Sequence, residues 1–256
     1  MARWPVSFPA LEVRVPLGDM ALGLFSGIAP TSFIMYRFLQ ENQNLADPLS
    51  MTKKESSNLI PDTDLRETLL RIGKAMLNEV DEASLNMREV ARRSGCTHQA
   101  PYYHFRNKEG FVAALVASGF EELAAAMGAA HDQVDCRSVG EVLKASAISY
   151  LEFAIYNPGL FRTMFAPVDA RSEQFLNTTN QRRASFAEVQ RLGTIVFGPR
   201  ATPVDVSLLW VAVHGLSNLV IDGKLVADPG DKKAKRFVEK VIDGFVEMFL
   251  ARAEKA

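Results

Sequence analysis

The stretch Asn86 to Lys108, NMREVARRSGCTHQAPYYHFRNK, decides the reading of this chain. It divides into two short helices around a tight turn. Asn86 suits the cap of the first, because its side-chain oxygen can accept from the free amides of the first turn. Met87, Val90 and Ala91 then fall on one apolar face at helical spacing. Ser94-Gly95 stops that helix, since glycine accepts the left-handed backbone that a sharp turn requires. Thr97 is placed to cap the second helix, which carries His98, Gln99, Tyr102 and Tyr103. The spacing predicts a helix-turn-helix, whose second helix can enter a DNA major groove.

The local charge agrees. Arg88, Arg92, Arg93, Arg106 and Lys108 crowd this stretch, and within it only Glu89 opposes them. Cations and hydroxyls spread over two helices suit a run of phosphates, although a solvated basic face has the same composition. The whole chain has a net charge of −1, so it is not a general polycation and any nucleic-acid binding is local.

The order of residues resembles the DNA-binding signature of the TetR/AcrR family of regulators. Ala91, Gly95, Thr97, Tyr102, His104, Phe105, Lys108 and Phe111 fall on its A-x-x-A/S-G, S/T-x-x-x-x-Y-x-H-F and K-E/D-x-L/F positions. The resemblance covers residues 62–112. Asn86 departs from the usual Thr or Ser, and Pro101 from the usual aliphatic residue. The resemblance implies double-stranded DNA as partner. It also implies backbone contacts from Arg88, Tyr102, His104 and Lys108, with Asn86 at the cap and Tyr103 on the same surface. Gln99 can pair with an adenine edge, with His98 or Thr97 reaching a neighbouring base.

The rest reads as all-α. The composition of the 256 residues, nearly half of them hydrophobic, fits a soluble globular protein with a sizeable core. Cys96 and Cys136 are the only cysteines and make no metal or redox spacing, which fits a reducing cytoplasm. Cys96 reads as a packed thiol. Residues 1–60 read as an extension, disordered or preceding a later natural start at Met51; the apolar run from Met20 to Met35 is too short and interrupted to span a bilayer. Residues 61–108 read as the DNA-binding domain and 109–256 as a helical regulatory and dimerisation domain. The expected helices are Asp62 to Val80, with Leu65, Leu69, Ile72 and Met76 on one face; Lys108 to about Val134; one bearing Val142, Tyr150 and Leu151; a short one after Asn157-Pro158-Gly159; Ala170 to about Val196; Val204 to Val226; and Asp231 to about Ala253. The acidic end of the first, at Glu79, Asp81 and Glu82, reads as pointing away from DNA.

The last two helices carry more apolar surface than one contact needs. A thick monomer core and a four-helix subunit interface both account for it. Trp210-Val-Ala-Val-His214-Gly215, Tyr150-Leu-Glu-Phe153-Ala and the segment from Asn157 to Phe165 resemble a branch of the same family with a W-x-x-x-H-G pattern. Tyr150, Phe153, Phe161, Met164, Phe165, Trp210, His214 and Asn218 form the expected wall of an apolar effector site, or equally a core. His214 reads either as a ligand contact or as a satisfied core histidine. No metal spacing, P-loop, G-x-S-x-G elbow or G-x-G-x-x-G appears, so no enzyme and no cofactor are expected. The reading is a cytoplasmic, homodimeric, ligand-responsive regulator, a repressor by class. The alternative is a helical DNA-binding or protein-interaction module without a ligand. Protection of one palindromic site, as against broad DNA binding, separates the two.

Overall fold

The computed structural model describes residues 62–132, 138–167 and 173–255. The reading of residues 1–60 and of Cys136 lies outside them. Among the described residues every regular element is helical: α1 (Asp62–Glu79), α2 (Met87–Arg93), α3 (Ala100–Phe105), α4 (Lys108–His131), α5 (Val139–Tyr156), α6 (Pro158–Phe165), α7 (Glu173–Phe197), a 3-10 turn (Gly198–Arg200), α8 (Pro203–Ile221) and α9 (Lys232–Lys255).

Local chemistry sets several of these ends. Asn86 accepts from the Arg88 amide at 2.9 Å and starts α2. Gly95, at φ +69°, makes the turn that follows. Ser138 with Glu141, and Thr202 with Asp205, form reciprocal capping boxes for α5 and α8. Pro158 and Pro203 occupy first-turn positions, where no amide is needed.

Two boundaries differ from the sequence reading. Thr97 does not cap α3. Its carbonyl accepts from the Ala100 amide at 3.1 Å, and the helix begins at Ala100. Pro101 is the reason: a helix begun at Thr97 would need an amide hydrogen at 101, which proline lacks. His98 and Gln99 therefore stand in the turn ahead of α3. The helix expected to reach Val226 stops at Ile221. Gly223 takes φ +63°, and the amides of Lys224 and Leu225 turn back to the Leu219 carbonyl.

The link from α3 to α4 is shorter still. Arg106 has φ 64° and ψ −55°, and the Asn107 amide bonds the Phe105 carbonyl at 2.8 Å. That is a γ-turn of the strained kind, one residue wide. Asn107 then caps α4 by accepting from the Gly110 amide at 2.8 Å.

Helix α4 is the spine. Phe111, Val112, Leu115, Val116, Phe120, Leu123 and Met127 are all buried along it. They join α1, α2 and α3 at one end to α5, α6 and α7 at the other in a single apolar cluster. Helix α6 is clamped between the two parts. The Gly159 amide donates to Asn78 Oδ1 of α1 at 3.1 Å, and Arg162 bonds Asp222 (2.8 Å) and the Ile221 carbonyl (3.0 Å) at the end of α8. By length and composition α4 and α8 would also qualify as membrane spans, but α4 is wrapped by its neighbours. Helix α8 is not: it packs on α5 and α7 with its inner face and leaves Val204, Leu208, Val211 and Leu219 exposed.

A Cβ at Gly159 would lie 1.8 Å from the Leu77 carbonyl oxygen, so only glycine allows α6 this close to α1. Gly159→Ala should force the backbones apart and destabilise the chain by about 1–3 kcal/mol. Urea unfolding followed by circular dichroism measures it, and a midpoint equal to the wild type would refute the close approach.

Candidate functional site

The helix-turn-helix has an apolar back and a polar front. Met87, Val90, Ala91, Pro101 and Phe105 are buried behind it. The Phe105 ring packs edge-on against Phe111, centroids 4.9 Å apart, and the Arg66 guanidinium lies over its other side at 5.5 Å. The front carries Arg88, Thr97, His98 and Gln99 exposed, Tyr102 half-exposed and Tyr103 80% exposed. His104 is partly buried, its ring edge-on to Tyr103 at 5.5 Å. Asn86 is occupied by its cap. Lys108 donates from Nζ to the Ala83 carbonyl at 2.6 Å and so ties the α1–α2 connection to the start of α4.

The charge is distributed differently from the sequence reading. Glu89 binds Arg92 through two bonds of 2.6 and 2.7 Å and Arg93 through one of 2.9 Å. Hydrogen bonds from Arg92, then Arg93, hold the Glu89 carboxyl down at about 2. Arg93 also pairs with Glu79 at 2.7 Å. The acidic end of α1 thus contacts the helix-turn-helix through Glu79. The reason is tertiary: α1 packs across α2, which brings residues fourteen apart in sequence together. Two of the five cations are internally balanced, while Arg88 forms no ion pair among the described residues.

The C-terminal body holds two adjacent, partly open cavities, about 160 and 40 Å³; α4, α5, α7 and α8 line both, with Phe165 of α6 added to the larger and α9 to the smaller. Met127, Tyr150, Val189 and Trp210 belong to the walls of both. Of the eight residues expected to line an effector site, Tyr150, Phe165 and Trp210 face the larger cavity. Phe161 and Met164 are fully buried and Phe153 nearly so, in the core behind it. His214 sits among aromatic rings, 4.5 Å from Phe165 and 5.3 Å from Phe161 by centroid. Asn218 donates to the His214 carbonyl at 2.9 Å.

His214 has a partner in the chain. Trp210 Nε1 donates to the Tyr150 hydroxyl at 3.3 Å, and that hydroxyl lies 2.9 Å from His214 Nδ1. Which of the Tyr150 hydroxyl and His214 Nδ1 donates is set by the imidazole tautomer. Burial holds His214 below its ordinary pKa and pushes the Tyr150 phenol up, both of which keep the pair uncharged. Sequence reasoning missed Arg182, Ser185 and Phe186, which also line the larger cavity from α7, and Phe120 and Leu123 from α4. Their signal was an arginine one turn before a serine–phenylalanine pair on a helix that reads as amphipathic.

Residues 69–115 match the family described as bacterial regulatory proteins, tetR family. Residues 143–245 match the tetracyclin repressor-like C-terminal domain. Together the matches span more than half of the chain. The chain belongs to the TetR family.

Solved structures carry the same fold. A protein of unknown function from Rhodococcus sp. RHA1 is 23% identical, covers 80% of this chain and 97% of its own, and has a TM-score of 0.60. A TetR-like transcriptional regulator from the same organism is 12% identical, covers 77% and 99%, and scores 0.55. A TetR/AcrR-family regulator from Thermobifida fusca YX-ER1 is 20% identical, covers 72% and 97%, and scores 0.53. This TetR-family chain is thus a DNA-binding regulator by architecture.

Tyr150→Phe would remove the hydroxyl that both Trp210 and His214 use. Leaving those groups unpaired should cost about 1–3 kcal/mol. Thermal unfolding read by tryptophan fluorescence would detect it; unchanged stability would mean that the three groups are not coupled.

Proposed function

We propose that this TetR-family chain is a homodimeric repressor released from a palindromic operator by a small molecule. The carrying observation is the solvent-facing row of Thr97, His98, Gln99, Tyr102 and Tyr103 on a rigidly backed helix-turn-helix. In this reading Gln99 pairs with an adenine edge, and His98 or Thr97 reads its neighbour. Arg88, Tyr102, His104 and Lys108 hold phosphates, Lys108 with the donors that remain beyond Ala83. Asn86 fixes the approach of α2, and Tyr103 extends the same surface. The protein works where the chromosome is, in the cytoplasm.

Dimerisation is supported by two uncovered stripes. On α8 they are Val204, Leu208, Val211 and Leu219, at spacings of four, three and eight; on α9, Phe237 and Met248 flank the partly buried Val241. Val238, Ile242 and Phe249 meanwhile point inward. Apolar stripes of this length on two neighbouring helices suit a four-helix bundle with a second copy. The larger cavity, bounded by Tyr150, Phe165 and Trp210, is the proposed effector site, with Phe153, Phe161, Met164, His214 and Asn218 as its support. The Trp210–Gly215 pattern at that support is consistent with the W-x-x-x-H-G branch.

Footprinting of the purified chain on the DNA upstream of its own gene tests the whole reading: one discrete two-fold symmetric footprint supports it, and protection everywhere favours the module without a ligand. Gln99→Ala should lose about 1–3 kcal/mol at the operator and relax one base pair per half-site. Arg88→Ala should weaken operator and random DNA alike and lower the salt slope by about one. A discrimination profile untouched by the first variant, or a slope untouched by the second, would remove that residue from the interface.

For the dimer, Val211→Asp puts a charge at a position 62% exposed in the single chain. Sedimentation should show monomers of unchanged helicity, with dimerisation weakened at least about tenfold. A variant that remains dimeric would move the interface elsewhere.

A further inference from the structure

The larger cavity is walled by rings. Five of the ten residues that line it are aromatic, in a chain where aromatics make up 9%. Each of five helices supplies one: Phe120 from α4, Tyr150 from α5, Phe165 from α6, Phe186 from α7 and Trp210 from α8. Four of these rings follow one another in contact. Phe120 stands edge-on to Phe165 with centroids 5.4 Å apart, Phe165 is tilted against Trp210 at 6.3 Å, and Trp210 meets Phe186 edge-on at 6.1 Å. A core packed for volume alone has no need of a ring from every side, because aliphatic side chains fill space as well. The polar side chains of the wall are engaged within the chain. Trp210 Nε1 donates to the Tyr150 hydroxyl at 3.3 Å, and the Ser185 hydroxyl donates to the Arg182 carbonyl at 3.2 Å. Arg182 Nε donates to Thr178 Oγ1 at 3.0 Å, its guanidinium lies over the Phe120 ring, and it has further contacts besides.

We propose that the larger cavity takes an uncharged molecule built on a single aromatic ring. The assignment rests on the effector reading above and gives that site its ligand class. Size sets the first limit. The cavity holds about 160 Å³, and an apolar cavity of about 150 Å³ takes up one benzene molecule. The rings set the second. Aromatic pairs prefer edge-on and offset contacts, because the positive rim of one ring meets the negative face of the other. A ligand ring among five others can make several such contacts, which a saturated ring of the same size cannot. Charge sets the third. A carboxylate or an ammonium would give up its hydration for polar groups that already have partners. The cavity is partly open, and Phe186, 39% exposed, is the most exposed ring of its wall, which marks the side of entry.

The test uses three probes of similar size: toluene, methylcyclohexane and benzoate. Each is titrated calorimetrically into the full-length protein, and each is added to the protein–operator complex in a gel shift. Toluene should bind about three- to tenfold more tightly than methylcyclohexane, and at least about a hundredfold more tightly than benzoate. Val189 lines the cavity from α7, so Val189→Phe puts a ring of the chain's own into the space. That variant should keep its helicity by circular dichroism and lose toluene binding. Phe186→Leu changes a half-exposed position and should narrow the preference for toluene while methylcyclohexane still binds; it decides the matter if the Val189 variant unfolds. Methylcyclohexane or benzoate binding as tightly as toluene, no toluene binding, or an unaltered profile in the variants would overturn the assignment. The gel shift separates this from the broader reading. Toluene that binds in the cavity but leaves DNA bound supports the aromatic site and refutes ligand-driven release. Release by benzoate from a protein that does not bind toluene does the reverse.

Discussion

The recognition helix has no position of its own. Between Phe105, the last residue of α3, and Lys108, the first of α4, stand only Arg106 and Asn107, folded into a γ-turn with a 2.8 Å bond. So short a link leaves no slack. Phe105 is also pinned to α4 directly, through its edge-on contact with Phe111. Where α4 goes, α3 follows. Close-packed side chains transmit displacement rather than absorbing it, because the interior has little free volume. The same helix that fixes α3 supplies Phe120, Leu123 and Met127 to the cavity wall. One rigid element therefore joins the surface that faces outward at Gln99 to the space beside Arg182.

A second connection closes the loop. Helix α6 lends Phe165 to the cavity at its C-terminal end and docks Gly159 beneath Leu77 and Asn78 at its N-terminal end. Gly119 on α4 makes room for the same helix, since a Cβ there would meet Met164 Sδ at 2.5 Å. Contacts this tight have few intermediate arrangements. A system of that kind tends toward two discrete packings, which is what a switch requires. A ligand shifts it only by binding one packing more tightly than the other.

Much of this was legible in the sequence where the determinants are local. Asn86, Gly95 and the apolar spacing of Met87, Val90 and Ala91 identify the first helix and its turn, because caps and periodicity act over a few residues. The illegible parts depend on residues far apart. Arg93 looked free because Glu79 lies fourteen residues earlier, on another helix. The two readings of His214 stayed open because Tyr150 lies sixty-four residues away. The start of α3 was misplaced for a different reason: Thr97 is a good capping residue, but Pro101 removes the bond that such a cap would precede. Arg182 was passed over because an arginine on a polar helix ordinarily faces water, and only the packing of α7 along α4 turns it toward Phe120.

Helix α8 explains which wall of the cavity can yield. Its mean apolarity would suit burial all round, yet only 33% of its most apolar window is buried within the chain. The inner face carries Trp210 and Leu209 to the cavities, while Val211 and Leu219 face outward. With a second copy covering the outer stripe, α8 and α9 are held on both sides and become the stiffest wall. Asp205 adds to this from below, because its carboxylate accepts from Arg252 of α9 at 2.7 Å while capping α8. Hydrogen bonds from Thr202, then Arg252, keep that carboxyl down at about 2, so the tie persists at neutral pH. The remaining walls of the larger cavity come from α4, α5, α6 and α7. Of these, α4 and α6 touch the DNA-binding part, so under the proposed dimer and effector site they are the route by which a change in the cavity would reach the DNA-binding surface.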